Sequence, residues 1–176
     1  ALEKERKQHK TIMASIKKNL SRYASQIKQK QQEADKIDRE IDRIIKAAIA
    51  KSNKKAGKAT SSKTFALTAE EEVLASNFIS NKGKLPWPVE KGFVRLGYGT
   101  QPHPIDRSLT IKSNGVRIAT EKGAKARAVF DGEVSEILKM KNVNPIVMIR
   151  HGNYLTLYRN LSQVYVKKGD KVKAKT

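Results

Sequence analysis

The sequence predicts an α+β chain: a long coiled-coil helix, a short linker helix, and an antiparallel β domain. Three observations predict it. Residues 2 to about 50 contain neither proline nor glycine and repeat their apolar positions every seven residues. A run of small and basic residues from Lys51 to Lys63, KSNKKAGKATSSK, breaks that pattern. From Arg117 to Lys173, apolar β formers alternate with polar residues between glycine-bearing turns, the mark of short strands. The expected divisions are a coiled-coil helix over 1–50, a linker and short helix over 51–82, and a β domain over 83–176 whose C-terminal end reads as incomplete.

In the first segment, Met13, Leu20, Ile27, Ala34, Ile41 and Ala48 form one row of a heptad, and Ile16, Tyr23, Ile37 and Ile44 form the other, interrupted by Lys30. Such a seam is a coiled-coil signal. The remaining positions are mostly Lys, Arg, Gln, Glu and Asp, so the helix cannot bury a core alone and needs a partner helix. That partner is either an upstream segment, forming a helical hairpin, or a second copy.

The linker is followed by a short helix. Thr68 is its N-cap and Glu71, three residues on, completes a capping box. Glu70, Glu71 and Glu72 suit the positive end of the helix dipole. Val73, Leu74 and Phe78, with Ile79, form its apolar face, and Lys82-Gly83 ends it. Two readings are open for that face: packing on the domain's own core, or a displaceable regulatory element lying across a functional groove.

The β domain opens on Leu85-Pro86-Trp87-Pro88-Val89, which its two prolines hold extended, with Trp87 as a packing anchor. Gln101 to Arg107 reads as a loop, and Leu109 with Ile111 as a brief strand. Asn114-Gly115 and Asp131-Gly132 read as turns, the second flanked by Val129 and Val134. Ile146 to Ile149, Tyr154 to Tyr158, and Val164 with Val166 before Gly169-Asp170 supply further strands.

Composition narrows the chemistry. The chain carries 37 basic and 17 acidic residues, a formal charge of +20, which suits anionic polymers, lipid surfaces or nucleic acid. Nucleic acid is not expected, because acids are mixed through Glu33 to Asp42 and no dense basic region abuts the heptads. Cysteine is absent, excluding disulfides and thiolate ligands. There is no phosphate-binding loop, dinucleotide fingerprint or serine nucleophile elbow. A zinc hydrolase needs about three protein ligands, and the histidines are only His9, His103 and His151. His103 with Asp106 is the one close His/Asp pair, and satisfied or exposed loop residues are the expectation there.

The stretches KGKLPWPVEKG, SNGVRIATEKGAKARAVFDGEV and VMIRHGNYLTLYRNLSQVYVKKGDKVK resemble, in order and spacing, the LytM-type domain of the M23 metallopeptidases over about residues 83–173. With the coiled coil upstream, the chain is similar to the EnvC-like murein hydrolase activators, in their Bacteroides-type form. The resemblance also favours the hairpin. Active family members bind zinc through a His-x-Gly-hydrophobic-Asp motif; here Ser113 stands in the histidine's place and Arg117 in the aspartate's. They also carry a catalytic histidine in Tyr-x-His-Leu; here Tyr158-Arg159-Asn160-Leu161 puts Asn160 in its place. Serine is a poor neutral ligand, arginine a fixed cation, and asparagine no general base near neutral pH.

The resemblance therefore implies a chain that is not an enzyme and takes no metal or cofactor. It implies a vacant groove lined or flanked by Ser113, Arg117, Tyr158 and Asn160. It implies N-acetylmuramoyl-L-alanine amidases as partners, an FtsEX-like membrane complex held through the coiled coil, and a periplasmic, cell-envelope location. The helix at 68–80, through Val73, Leu74 and Phe78, stands where such proteins carry a regulatory element. Peptidoglycan itself is a further candidate partner. The alternatives are a zinc-dependent peptidoglycan endopeptidase with a substituted site, or a structural protein that binds the cell wall.

Overall fold

The computed structural model describes residues 2–103 and 107–176. Its elements are α1 (Leu2–Lys55), α2 (Ala69–Ser80), β1 (Phe93–Leu96), β2 (Gly99–Pro102), β3 (Thr110–Ser113), β4 (Arg117–Ala119), β5 (Gly132–Met140), β6 (Val143–His151), β7 (Tyr154–Tyr158) and β8 (Lys171–Val172). β1 pairs with β4, β2 with β3, and the remaining strands form one sheet in the order β7-β6-β5-β8. The long helix, short helix and C-terminal antiparallel sheet are as expected.

α1 is longer than its heptads required. Residues 51–55, expected as linker, are helical. The breaker is Gly57, at φ +67, where Lys58 N donates to Asn53 O and the chain leaves the helix. The chain divides into two compact units, residues 1–45 with 95–117, and residues 46–94 with 118–176.

In the first unit α1 accompanies the β2–β3 hairpin, whose register pairs Gly99 with Ser113 and Gln101 with Ile111. Ile41 is buried, whereas Met13, Ile16, Leu20 and Tyr23 stand exposed along the helix. Asn114-Gly115 is no hairpin turn. Neither residue takes the positive φ that a type I′ turn needs, and the strands on either side belong to different sheets. The bend is held by Asn114 Nδ2 donating to Asp38 Oδ2 at 2.7 Å. Within the expected loop, Gln101 and Pro102 belong to β2, and Asp106 lies outside the described residues.

In the second unit β5 and β6 form the centre of the sheet, joined by Lys141-Asn142, with Asn142 at φ +60. Pro145 lies within β6, where the register shifts between the Leu138–Ile146 and Met140–Val143 pairs. A proline is tolerated at such a bulge because a ladder donor is not needed there. Ala128, Val134, Val147, Ile149 and Val172 form the core, with Tyr158, Leu161, Val164 and Val166 packed against it.

Three sequence expectations are corrected here. Residues 164–166 are not a strand, although Val164 and Val166 turn inward and Tyr165 outward as alternation required. Asp131-Gly132 is not a hairpin turn: Gly132 begins β5, and a Cβ there would collide with Arg150 O and His151 Nδ1. Trp87 is no packing anchor, being 51% exposed, while neighbouring Val89 is buried and Pro88 O accepts from Arg127 N.

The end of α1 is tied to this unit by one side chain. Asn53, 1% exposed, donates from Nδ2 to Thr64 O at 2.9 Å and accepts from Ala66 N at Oδ1 at 2.6 Å. Phe65 N, between them, donates to Asn153 Oδ1 at 3.0 Å. Asn53→Ala removes a buried amide and its two hydrogen bonds to the half-buried Ala66 N–H and the Thr64 carbonyl, so it is expected to lower stability by about 1–2 kcal/mol, read as a reduced denaturant midpoint at unchanged slope.

Candidate functional site

Ser113 and Arg117 belong to the first unit. Ser113 ends β3 with its side chain buried, and its hydroxyl donates to Gly115 O at 2.7 Å. The bend that follows β3 thus consumes the hydroxyl's only hydrogen. Arg117 opens β4, exposed. It lines a cleft of about 900 Å³ whose walls include Leu20, Tyr23 and Ile27 of α1 and Leu109 and Ile111 of the hairpin. Beside these apolar side chains the lining carries two cations, Lys30 and Arg117.

Tyr158 and Asn160 belong to the second unit. Tyr158 closes β7, and its hydroxyl accepts from Val129 N at 2.8 Å. Asn160 is exposed at φ +63, a left-handed conformation that asparagine tolerates better than most residues. Its Oδ1 accepts from Asn144 Nδ2 at 2.9 Å.

The densest arrangement of this unit was not singled out from sequence. It lies where α2 meets the end of β6. The capping box forms as expected, with Glu71 N donating to Thr68 Oγ1 and Thr68 N to Glu71 Oε2. The other carboxylate oxygen, Oε1, lies 3.0 Å from Arg150 Nη2, a charge contact rather than an aligned hydrogen bond. Arg150 Nε donates to Gly152 O at 2.8 Å, and the guanidinium lies 4.2 Å over the Phe65 ring. Phe78 stacks on His151 at 4.8 Å and on Tyr154 at 5.4 Å, and meets Phe130 edge-on at 5.5 Å. The face α2 turns inward is therefore Glu71, Ala75 and Phe78. Val73, expected on it, is 61% exposed, and Ile79 is exposed too; Leu74 is half-buried.

His151 has no solvent exposure. Its Nδ1 lies 2.6 Å from Asp131 O, and its Nε2 lies 2.9 Å from Thr156 Oγ1. A carbonyl only accepts, so Nδ1 carries the proton and Nε2 accepts from the hydroxyl of Thr156, which fits the neutral ring. Burial holds the His151 pKa below its ordinary value, opposed by the carbonyl and the charge of Asp131. Gly152 follows at φ +64, and a Cβ there would collide with Glu71 O and lie 2.8 Å from the Ala75 methyl. The sequence signal for this seat was the His-Gly-Asn run closing an apolar strand. α2 sits at this end of β6, whereas Asn160 pairs with Asn144 near the other, about 20 Å away along the strand.

The sign of the His151 shift fixes a pH dependence. The folded state resists protonation relative to the unfolded chain. Its contribution to stability is present above the ordinary histidine value and is lost as pH falls through that value toward the lower, folded one. Urea midpoints are expected to drop between about pH 7.5 and about pH 5.5, and the drop is expected to shrink in His151→Asn.

Residues 111–176 match the family model described as peptidase family M23. The chain is also 32% identical over 91 residues to the peptidoglycan DD-endopeptidase ShyB of Vibrio cholerae, an alignment covering 49% of this chain. It spans only 21% of that relative's length. Among the described residues no group of three or more His, Cys, Asp or Glu side chains is placed to hold a metal ion. With the antiparallel sheet these residues build, the C-terminal part of this chain is an M23 peptidase-family, LytM-like domain lacking an obvious metal-binding cluster.

Proposed function

We propose that this chain is a non-catalytic activator of N-acetylmuramoyl-L-alanine amidases in peptidoglycan remodelling and cell separation, acting from the periplasmic side of the cell envelope. The observation that carries the reading is the match of residues 111–176 to the M23 family, taken with the resemblance that puts Ser113, Arg117 and Asn160 at the family's motif positions. Zinc, which active members of the resembled family bind, does not fit these side chains. The Ser113 hydroxyl is committed to Gly115 O, and a guanidinium at Arg117 repels a cation. A domain of this family without its metal suits recognition of another protein, in which a few buried anchors dominate.

The relative's name is that of an endopeptidase, and this supports a peptidoglycan setting for the chain. α1 is the segment proposed to engage an FtsEX-like membrane complex in the manner of EnvC-like activators. α2 is proposed as the regulatory element. Its seat on Phe130, His151 and Tyr154 supports a regulatory role exerted by covering that aromatic patch.

The deciding measurement adds the purified protein to a purified amidase on peptidoglycan sacculi. The expected result is faster release of amidase products, and no cleavage by this protein alone with zinc supplied. Stoichiometric zinc with autonomous peptide cleavage would replace the activator by an endopeptidase. For α2, Phe78→Ala and Gly152→Ala are expected to loosen the helix, seen as faster proteolysis between Ala66 and Lys84, and to raise amidase activation. A loosened helix with unchanged activation removes the regulatory role and leaves α2 as packing.

A further inference from the structure

We infer that Asn114 is a site of spontaneous deamidation, and that its conversion to a carboxylate loosens the bend after β3 from α1. Asn114-Gly115 is the one place where an asparagine of this chain precedes a glycine. The reaction needs only water as co-reactant. The Gly115 amide nitrogen gives its proton to base and attacks Asn114 Cγ. The Cγ–Nδ2 bond breaks, and the nitrogen leaves as ammonia with a proton taken from solvent. Water then opens the resulting succinimide at either carbonyl. One opening leaves aspartate. The other leaves isoaspartate, whose main chain runs through the side chain and is longer by a methylene. Water is consumed, ammonia is released, and nothing is oxidised or reduced.

The surroundings of this dipeptide select it. Asn114 and Gly115 are both exposed, so water and base reach them. No atom beyond its chain neighbours lies within 4 Å of where a Gly115 Cβ would stand, so the attacking residue is uncrowded on that side. Its N–H meets no hydrogen-bond acceptor among the described residues; Gly115 is engaged only through its carbonyl, by Ser113 Oγ. A nitrogen tied into a ladder has to break that bond before it can attack, and this one does not. Asp131-Gly132 is open to the same ring closure by sequence but not by structure: Gly132 is paired with Val172, and Asp131 Oδ1 accepts from Ala174 N at 2.8 Å. The other asparagines all precede residues with side chains, which hinder the close approach that glycine permits. The consequence follows from the contact that Asn114 makes. Its Nδ2 donates to Asp38 Oδ2 at 2.7 Å, within the first unit. Deamidation replaces that donor by an acceptor-only carboxylate and sets like charges at hydrogen-bond distance, so the contact is lost.

The inference is independent of the amidase reading. It is tested by ageing the full chain in warm, mildly alkaline buffer and mapping its peptides by mass spectrometry over time. The Asn114 peptide is expected to convert faster than the peptides of the other asparagines, to give both aspartate and isoaspartate, and to convert more slowly in mildly acidic buffer. Gly115→Ala, for which there is room at an unstrained φ, is expected to slow the conversion severalfold. Amide hydrogen exchange in β2 and β3 is expected to be about three- to tenfold faster in the aged protein and in Asn114→Asp than in fresh protein, the equivalent of one lost hydrogen bond. Conversion at Asn114 no faster than elsewhere, absent throughout, or undiminished in Gly115→Ala overturns the site. Unchanged exchange in β2 and β3 after conversion overturns the loosening.

Discussion

An imidazole with no access to water must have both ring nitrogens met inside the protein, and much of the second unit is arranged around meeting those of His151. The Asp131 carbonyl sets the start of β5, the Thr156 hydroxyl sets β7, and Phe78 of α2 covers the ring. Three separate stretches converge on one side chain, each in a role the others cannot fill. Gly132 belongs to the same arrangement, because only a residue without a side chain lets β5 approach the ring so closely. Burial stabilises this group only in its neutral form, so the polar contacts and the aromatic stack are coupled through the ring's protonation state.

α2 shows how local and tertiary constraints share residues. Glu71 caps its own helix with one carboxylate oxygen and contacts Arg150 with the other. Ala75 and Gly152 set how near the helix can lie to the sheet, and Phe78 fills the aromatic seat. The helix is thus held by one charge contact, one close backbone approach and one aromatic ring.

Periodicity and turn chemistry made the architecture legible where they act locally. The capping box at Thr68 and the strand at Tyr154–Tyr158 follow from side-chain patterns a few residues long. Misreadings arose where a glycine served tertiary contact rather than a turn, as at Gly132, or where a large apolar residue was assumed to be inside, as at Trp87. The inward face of α2 was misjudged because Val73 is apolar but Ala75 is close-packed, and alanine carries almost no hydrophobic signal. The reading of Ser113, Arg117 and Asn160 as motif positions came only through likeness to a family. The hydrogen bonds of Ser113 to Gly115 and of Asn160 to Asn144 depend on bends that no periodicity encodes.

Asn53 closes the segment between the end of α1 and Ala66 into a loop fastened at its base. The entropy of closing such a loop grows only logarithmically with length, by about 0.6 kcal/mol for each doubling. Residues 56–64 inside it are exposed and contribute no side chain to the core. The loop's length is therefore nearly decoupled from the fastening, and this is the place in the second unit where added sequence, such as a fluorescent or affinity insertion, can be carried without moving the helix or the sheet.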